Sequence, residues 1–495
     1  MKKEGISRQG VASHMPLLWL VLLAIMYMVP FLSNTVMAAD IMLKKKPPVQ
    51  AEEDDSDGDE DESATREAQG GTTELQGFIE FENFTGTYPH QAFRDIVKKN
   101  EIRNNLSLRT GSENFYFVMN SNVYIHDYVH DPTVYRNGTA RGSSFEINFN
   151  KLYYNAEFSF FRLRAGNQIY QWGTADVFNP TSYFNPMDMR EALFKDQDEL
   201  RQGVPSLSSL FFIGDDTLEL VIVPLHVPAL LPEKNTFWEL RYEEEGYPIS
   251  IAASRPMEPD IKNIAVGLQY YKNILSTDVN ISAYYGPDTE PLFRPMGTIA
   301  VPNEPIAVDV RPEYHTTIKT GLALSRGWND FVFQFEAAYS PLKTGVVDQD
   351  YSGGQIPQFP FKTRTFHALY TTAGFNYMIP MNKLFEGHEG DAVLTTEYSR
   401  PTYFSRNIMD PMLGDILIVR VEDTFLYSRL KVLVTGIVDI TEKGTIIMPE
   451  VQYRFPMGLS INVSYAFIHG RERSMIGLYT DNDFIRMRVR YEYKM

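Results

Sequence analysis

Few side chains in this sequence are spaced for covalent or metal chemistry. The nine histidines are scattered through 495 residues, cysteine is absent, and no G-x-S-x-G nucleophile elbow occurs. The nearest approach to a metal site is IHDYVHDP, which brings together His126, Asp127, His130 and Asp131. That stretch lies where a predicted strand runs into a loop, and His and Asp are common in such places. We therefore predict no enzyme activity, no cofactor and no bound metal.

Charged side chains recur with regular spacing in stretches that read as strands. The chain ends on IRMRVRYEYKM, in which charged residues alternate with apolar ones. This period of two is typical of a strand with two unlike faces. An early strand, LQGFIEFEN, places Glu80 and Glu82 together on one face. If the last strand pairs with the first, Arg486, Arg488 and Arg490 face these glutamates, either as an ion-pair ladder that fixes closure or as a strip that selects solutes.

The start of the chain has the features of an export signal. A basic stretch precedes an apolar run from Met15 to Leu32, and SNTVMAAD then offers small residues for cleavage after Ala38 or Ala39. An uncleaved membrane anchor is the alternative, because the run approaches the ~18–20 residues that span a bilayer. We predict a signal peptide at 1–39 and, since almost nothing apolar follows it, a disordered acidic periplasmic linker at 40–72.

Composition excludes one class of partner and favours another. The formal net charge is −17, and removing the nine acidic residues between Glu52 and Glu62 still leaves −8. Binding to nucleic acid needs clustered Lys and Arg, so we predict no nucleic-acid partner. Tyr and Phe are abundant, with 29 and 32 residues. Such a content suits aromatic belts at two lipid–water interfaces.

The repeated alternation after Leu75 fits two all-β architectures. A soluble sandwich buries its apolar faces, whereas a membrane barrel turns them to lipid and keeps its polar faces inside. Eleven residues at ~3.3 Å each, tilted by ~40°, rise about 28 Å, close to the ~25 Å apolar band of such barrels. With the export signal, this favours a transmembrane antiparallel β-barrel at 73–495. At about 10 residues per strand plus loops, we expect about 16 strands, with 14–18 compatible.

One stretch, from about 173 to 205, interrupts the strand pattern. Two FNP triplets predict turns, and Pro186 and Gly203 are residue types that begin and end helices, which predicts a helix between them. This long loop either folds into the lumen as a constriction or covers the outside of the barrel. An inward acidic loop opposite basic wall residues would create a transverse field. The candidate lumen and constriction residues are Asp188, Glu191, Asp196, Asp198, Glu199, Arg162, Arg164, Arg486, Arg488 and Arg490.

The residues from Arg164 to Arg190 resemble a known family. They read R-x-G-x-Q, then W-G, then N-P-x-D-x-R, a pattern similar to an uncharacterised family of exported, porin-like outer-membrane proteins. The GNQ portion also resembles a strand motif of alginate-export-type channels. The resemblance implies a barrel and a channel but no particular solute. Its residues are Arg164, Gly166, Gln168, Trp172, Gly173, Asn185, Pro186, Asp188 and Arg190.

These observations predict an outer-membrane, porin-like channel for passive diffusion of small hydrophilic solutes, selected by size and charge. The alternative is a plugged structural or binding barrel whose linker or loops engage a partner. The expected partners are outer-membrane lipid, the solute and the barrel-assembly machinery, which would recognise a final strand rich in aromatic residues. A homo-oligomer stays open. We expect the N-terminus to lie in the periplasm of a Gram-negative-type bacterium.

Overall fold

The protein is described here from a computed structural model. It covers residues 72–87, 97–126, 139–141, 144–191, 194–233, 236–239, 243–244, 247–299, 307–349, 358–386, 388, 390–409, 414–471, 474–480 and 482–494. The predicted export signal and nearly all of the predicted linker lie outside these residues, as do Asp127, His130 and Asp131. Those predictions therefore stay predictions.

Eighteen antiparallel strands form one closed sheet, in which each strand pairs with its neighbours in sequence and the last pairs with the first. The strands are β1 (Thr72–Gly86), β2 (Val97–Gly111), β3 (Phe115–His126), β4 (Phe145–Glu157), β5 (Phe161–Gln168), β6 (Val204–Ile213), β7 (Asp216–Val223), β8 (Ala265–Ile274), β9 (Thr277–Pro287), β10 (Thr316–Trp328), β11 (Phe331–Val346), β12 (Thr363–Ile379), β13 (Ala392–Tyr403), β14 (Ile416–Phe425), β15 (Leu430–Asp439), β16 (Gly444–Arg454), β17 (Leu459–His469) and β18 (Phe484–Lys494). The chain thus folds as a closed all-β barrel.

The remaining described elements are short and lie in connections between barrel strands. Two helices, α1 (Gln197–Leu200) and α2 (Met381–Leu384), are accompanied by 3₁₀ turns at Ile261–Asn263 and Gly477–Tyr479. Short strands occur at Thr139–Arg141, Glu243–Glu244, Tyr247–Ile251, Leu292–Ile299 and Ala307–Glu313, and the last four form a second small sheet. No helix in the described residues has the length and apolar character needed to cross a bilayer.

The barrel has 18 strands, at the upper end of the expected 14–18 rather than about 16, because the connections at one end of the barrel are very short. We call the end where β1 begins and β18 ends the terminal rim, and the opposite end the loop rim. At the terminal rim, β8 and β9 are joined by Leu275 and Ser276 alone, both with positive φ, as a two-residue hairpin turn requires. Because these turns use so few residues, enough residues remain for two strands more than the expected 16.

The buried face of the wall is polar, which distinguishes this barrel from a soluble sandwich. Strand β17 shows the pattern: Ser460, Asn462 and Ser464 are buried, whereas Ile461 and Val463 are exposed. Glu80 on β1 and Asn148 on β4 are buried in the same way, whereas β7 and β14 also bury apolar residues such as Val221 and Ile418. Apolar side chains cover the outside on many strands, for example Leu268, Ile281, Phe333, Phe335, Val419, Val421, Val434, Ile447, Val451, Phe467, Ile485 and Met487.

The barrel closes through two glutamates on β1, each held between a cation of β2 and a cation of β18. Glu80 contacts Arg103 at 2.6 Å and Arg490 at 2.7 Å. Glu82 contacts Lys99 of β2 at 2.8 Å and Arg486 at 2.5 Å.

Arg488 departs from the predicted seam arrangement. It lies opposite Glu82 in the strand register, but its guanidinium contacts Asp196 of a loop and lies 3.5 Å from Glu450 of β16. Glu82 is already occupied by two other cations, so Arg488 turns towards the lumen side.

Replacing Arg486 with Gln should destabilise the barrel, because it removes one of the two cations that hold a buried Glu82. We expect a loss of about 3 kcal/mol in the free energy of unfolding, the usual scale for breaking a buried ion pair. Urea titration in detergent, followed by semi-native gel mobility, measures it.

Arg490→Gln is the matched control, since the Arg490 side chain is 27% exposed and Glu80 keeps Arg103. Its cost should stay below about 1 kcal/mol. Equal losses in the two variants would contradict the greater cost that we expect for breaking the more deeply buried pair of Arg486 and Glu82.

Candidate functional site

The connection between β5 and β6, residues 169–203, folds into the barrel; we call it the inward loop. It begins four residues before the predicted boundary at 173. Its side chains and backbone contact inward-facing residues of β2, β4, β7, β9, β11, β13 and β18. Because these strands lie on different sides of the ring, the loop crosses the lumen.

The helix predicted between Pro186 and Gly203 is present over four residues only. The only helix within the described part of the loop is α1, four residues long, and Met187 and Asp188 are extended and form bridges to Arg201 and Leu230. Ion pairs to the barrel wall hold this part of the chain in an extended path and override the local helix signals. Asp198 lies in α1, but its side chain is outside the described residues.

The amide-anchored segment of the loop, residues 174–181, is held by two carboxylates of the wall. Glu336 on β11 accepts hydrogen bonds from the backbone N–H groups of Thr174, Ala175 (2.6 Å) and Thr181 (3.3 Å), and from the Thr181 hydroxyl (2.8 Å). Gly173 is required beside it, since it has φ +91° and a Cβ there would lie 2.3 Å from a Glu336 carboxylate oxygen. The segment therefore wraps closely around one buried acid.

Glu397 on β13 plays the equivalent part for the next residues. It accepts from the backbone N–H groups of Asp176 (2.9 Å), Val177 (3.1 Å) and Phe178 (2.6 Å). Both glutamates are almost completely buried, at 0% and 2% exposure. Neither forms an ion pair with a cation among the residues that the structure describes.

The ion-paired segment, residues 188–199, is attached to the opposite wall by salt bridges. Glu191 lies 2.5 Å from Lys99, Glu199 contacts Arg103, and Asp196 contacts both Arg486, at 3.3 Å, and Arg488. Lys99, Arg103 and Arg486 also hold Glu80 or Glu82, so the attachment of the loop and the closure of the barrel share these side chains. Of the acidic candidates, Asp196 is joined to arginines of β18, whereas Glu191 and Glu199 are joined to cations of β2.

Asp188, fully buried, organises the turn of this segment. Its carboxylate lies 2.9 Å from Arg190 and 2.7 Å from Lys195. Arg190 also reaches Glu146 of β4 at 3.0 Å. The N-P-x-D-x-R motif therefore contributes an internal clamp and one further attachment to the wall.

Ion pairing weakens the transverse electric field that the sequence led us to expect across the lumen. A transverse field requires acids and bases on opposite sides of the open path, but here the acidic residues of the loop touch the basic residues directly. Burial alone would raise the pKa of Asp196, yet Arg486 and Arg488 outweigh it and lower that pKa to about 2. The Asp196 contribution is therefore present above pH ~4 and is lost as the pH falls towards 2.

Arg162 and Arg164 lie apart from this acidic segment, on β5 nearer the terminal rim. Arg162 pairs with Glu157 at 2.5 Å, and Arg164 donates to the side chain of Asn155 at 3.0 Å. The guanidinium of Arg164 also lies 5.6 Å from the ring centre of Tyr153. The structure does not bring these two arginines together with the acidic residues of the loop.

The other motif residues fix the stem of the inward loop. The Asn185 side chain accepts from the backbone N–H of Tyr170 at 2.7 Å and donates to the carbonyls of Gln168 (3.0 Å) and Gln202 (2.7 Å). Gln168 in turn donates to the hydroxyl of Ser206 at 3.1 Å. Gly166 lies on β5, and Pro186 accepts from Gln202 through its carbonyl. These contacts join the entry and exit of the loop.

Aromatic side chains pack the stem against the wall. Trp172, Tyr183 and Phe184 belong to one buried cluster with residues of β6 to β9 and β11. Trp172 also donates to Glu219 at 2.8 Å. The wall makes room with glycine: a Cβ at Gly321 would lie 2.1 Å from the Tyr183 hydroxyl oxygen.

A second aromatic cluster lies at the loop rim, above the closing strands. Phe194 of the inward loop stacks on Trp238, with ring centres 4.8 Å apart, and Phe84 packs on Phe484 at 5.0 Å. Tyr479 donates to the carbonyl of Trp238 at 3.0 Å. Three connections therefore meet over the seam between β1 and β18: the inward loop, the connection between β7 and β8, and the connection between β17 and β18.

Sequence reasoning missed the wall residues that receive the loop, above all Lys99, Arg103, Glu336 and Glu397. A usable signal existed for the two glutamates, since each is a lone acid at an inward position of a strand. The metal interpretation of IHDYVHDP is tested only at His126, which is buried on β3. Among the described residues no group of His, Asp and Glu is placed to hold a metal ion.

Comparisons with known proteins give similarities only among solved structures. No protein-family model matches the sequence, and no curated protein does. OccAB1 of Acinetobacter baumannii has a TM-score of 0.47 at 9% identity, covering 86% of this chain and 96% of that one. OpdK of Pseudomonas aeruginosa, solved with vanillate, gives 0.44 at 9%, covering 86% and 99%. A BenF-like porin from Pseudomonas fluorescens Pf-5 gives 0.44 at 10%, covering 86% and 98%. At this level, function has to be argued from the side chains of this chain itself.

Gly321→Ala should displace the stem of the inward loop, because the added methyl group overlaps Tyr183 and lies 2.6 Å from the Ser282 hydroxyl oxygen. We expect a loss of about 1–3 kcal/mol in the free energy of unfolding. Gly327→Ala, on the same strand with nothing within 4 Å of its Cβ, is the control. Equal stability of the two variants in urea titration would show that the stem is not packed on β10.

Proposed function

We propose that this protein is an outer-membrane, porin-like channel that lets small hydrophilic solutes diffuse through its lumen. The observation that carries the proposal is a closed barrel with an apolar outer surface and a polar, charged inner surface. In lipid, a spanning sheet must pair every edge and turn apolar side chains outwards, and this barrel meets both conditions. Its inner surface offers a polar path.

The inward loop gives the channel its selection by size. Attached to opposite walls by Glu336 and Glu397 on one side and by Lys99 and Arg486 on the other, it narrows the lumen at one level. Selection by charge then depends on side chains whose charge is only partly neutralised. They lie at the level of the inward loop and between that level and the terminal rim. Arg201 of the loop and Arg164 of β5 have no ion-pair partner among the described residues.

The location and orientation belong to the same proposal. An export signal followed by a barrel fits the outer membrane of a Gram-negative-type bacterium. With an even number of strands both ends of the barrel chain lie at the terminal rim, which we assign to the periplasm, so the long connections face outwards. Outer-membrane lipid and the barrel-assembly machinery are the partners this implies, and the R-x-G-x-Q and N-P-x-D-x-R resemblance supports the porin-like assignment.

A plugged binding barrel is the second candidate, and one observation favours it. The inward loop, Trp238 and Tyr479 form a buried aromatic cluster at the loop rim. If this cluster extends across the mouth, the lumen is closed and the loops serve to bind a partner. Conductance separates the two functions.

Purified protein in planar bilayers should give stepwise, ohmic conductance, because a water-filled polar lumen carries ions. Replacing 176–203 with a short glycine linker should raise the unit conductance severalfold, since it removes the segment that crosses the lumen. Liposome swelling with sugars of increasing size measures the same change as a higher size limit.

A folded barrel that stays silent in both assays would rule out the channel and leave the plugged barrel. A linker variant with unchanged conductance and size limit would show that the inward loop does not form the constriction. Correct folding is checked for each variant by its mobility on semi-native gels.

A further inference from the structure

Two buried glutamates hold one edge of the inward loop through hydrogen bonds to its backbone rather than through ion pairs. We propose that Glu336 and Glu397 are positioning residues that set the width of the constriction, and that they do so only while ionised. This inference rests on the proposed channel function. It adds to that function a named pair of residues and a dependence on pH.

The hydrogen-bond arrangement around each carboxylate requires the ionised form. Glu336 receives four donors and Glu397 receives three, and six of these seven are backbone N–H groups of 174–181. A carboxylate has only acceptor sites, whereas a protonated carboxyl group carries an O–H donor on one oxygen. On protonation, the O–H of the glutamate carboxyl group would face a backbone N–H of the loop, so that two donors meet. The remaining hydrogen bonds would lose the extra strength that the negative charge gives them.

Few charged groups face the two glutamates. On the loop side, Arg201 and Tyr183 interact electrostatically with Glu336, and the Asp176 carboxylate lies near Glu397. Asn376 of β12 donates to that same Asp176 at 3.0 Å. On the wall, the residues opposite them in the strand register are all uncharged: Ala323 and Thr372 for Glu336, and Gly374 and Ile418 for Glu397.

The other end of the loop is held in a different way, which provides an internal reference. In the ion-paired segment, Asp196 has two arginine partners and keeps its charge until the pH approaches 2. The amide-anchored segment has no such protection, because no cation pairs with either glutamate in the described part of the chain. Acidification should therefore release residues 174–178 while residues 196–200 stay attached.

The first test uses Glu336→Gln and Glu397→Gln, which keep the volume but remove the charge and one acceptor oxygen. The matched control is Glu422→Gln, an inward-facing acid of β14 that pairs with Arg420 and Lys431 and does not touch the loop. Amide hydrogen exchange in the full-length barrel at pH 7 should become at least about tenfold faster at 174–178 in the first two variants. Exchange there should not change in Glu422→Gln.

Unchanged protection of 174–178 in folded Glu336→Gln and Glu397→Gln would overturn the proposal. A second measurement on the unaltered protein covers the case in which these variants do not fold. Exchange is followed from pH 7 to pH 4 and corrected for the intrinsic effect of pH on amide exchange. Loss of protection at 174–178 before 196–200 supports the proposal, and equal protection of both segments over this range contradicts it.

Bilayer recordings test whether Glu336 and Glu397 determine the width of the pore. If the two glutamates set its width, unit conductance in Glu336→Gln and Glu397→Gln should be larger and noisier at pH 7, and unaltered protein should approach that behaviour on acidification. A loop that loosens without any change in conductance overturns the claim about width. Silence of every variant, with exchange as predicted, contradicts the channel function and leaves the positioning role intact.

Discussion

Glu82 is the side chain on which both the closure of the barrel and the placement of the inward loop depend. It is buried, and it is bonded to Lys99 of the second strand and Arg486 of the last. Lys99 continues to Glu191 and Arg486 to Asp196, so a single carboxylate joins three strands to the loop. A barrel interior cannot leave charges unpaired at low cost, and this requirement connects the seam to the lumen.

The same requirement explains why an acidic loop does not make an acidic constriction. The carboxylates of the loop lie in direct contact with basic residues of the wall. Because the opposite charges touch, they largely cancel the electric field that they would create if they were separated across the lumen. What remains to act on a solute is the small set of described side chains without an ion-pair partner, such as Arg164. Formal charge counted along the loop sequence is therefore a poor guide to ion preference, whereas the pairing of each residue is a good one.

Much of the wall could be predicted from the sequence, because a period of two identifies the faces of a strand. The grouping of Glu80 and Glu82 on one face follows from that period. The strand count did not, because it depends on turns as short as Leu275 and Ser276. The helix predicted after Pro186 forms only at 197–200, because long-range ion pairs hold the residues before it in an extended path. The inward positions of Glu336 and Glu397 also follow from that period, but their contacts with the loop could not be predicted because the path of a loop across a lumen has no periodic signal.

The spacing of the loop's attachments along the chain dictates the order in which it can be fixed during assembly. Asp196 and its partner Arg486 are 290 residues apart in sequence, on the loop and on the final strand. Partners for 174–178 lie earlier, on β11 and β13. A barrel completed from its first strand to its last would thus hold the loop by its amide-anchored edge while the seam is still open. In the ion-paired segment, Glu191 and Glu199 have their partners on β2, whereas the contacts of Asp196 with Arg486 and Arg488 form only as the last strand arrives. Closing the wall therefore completes the attachment of the loop.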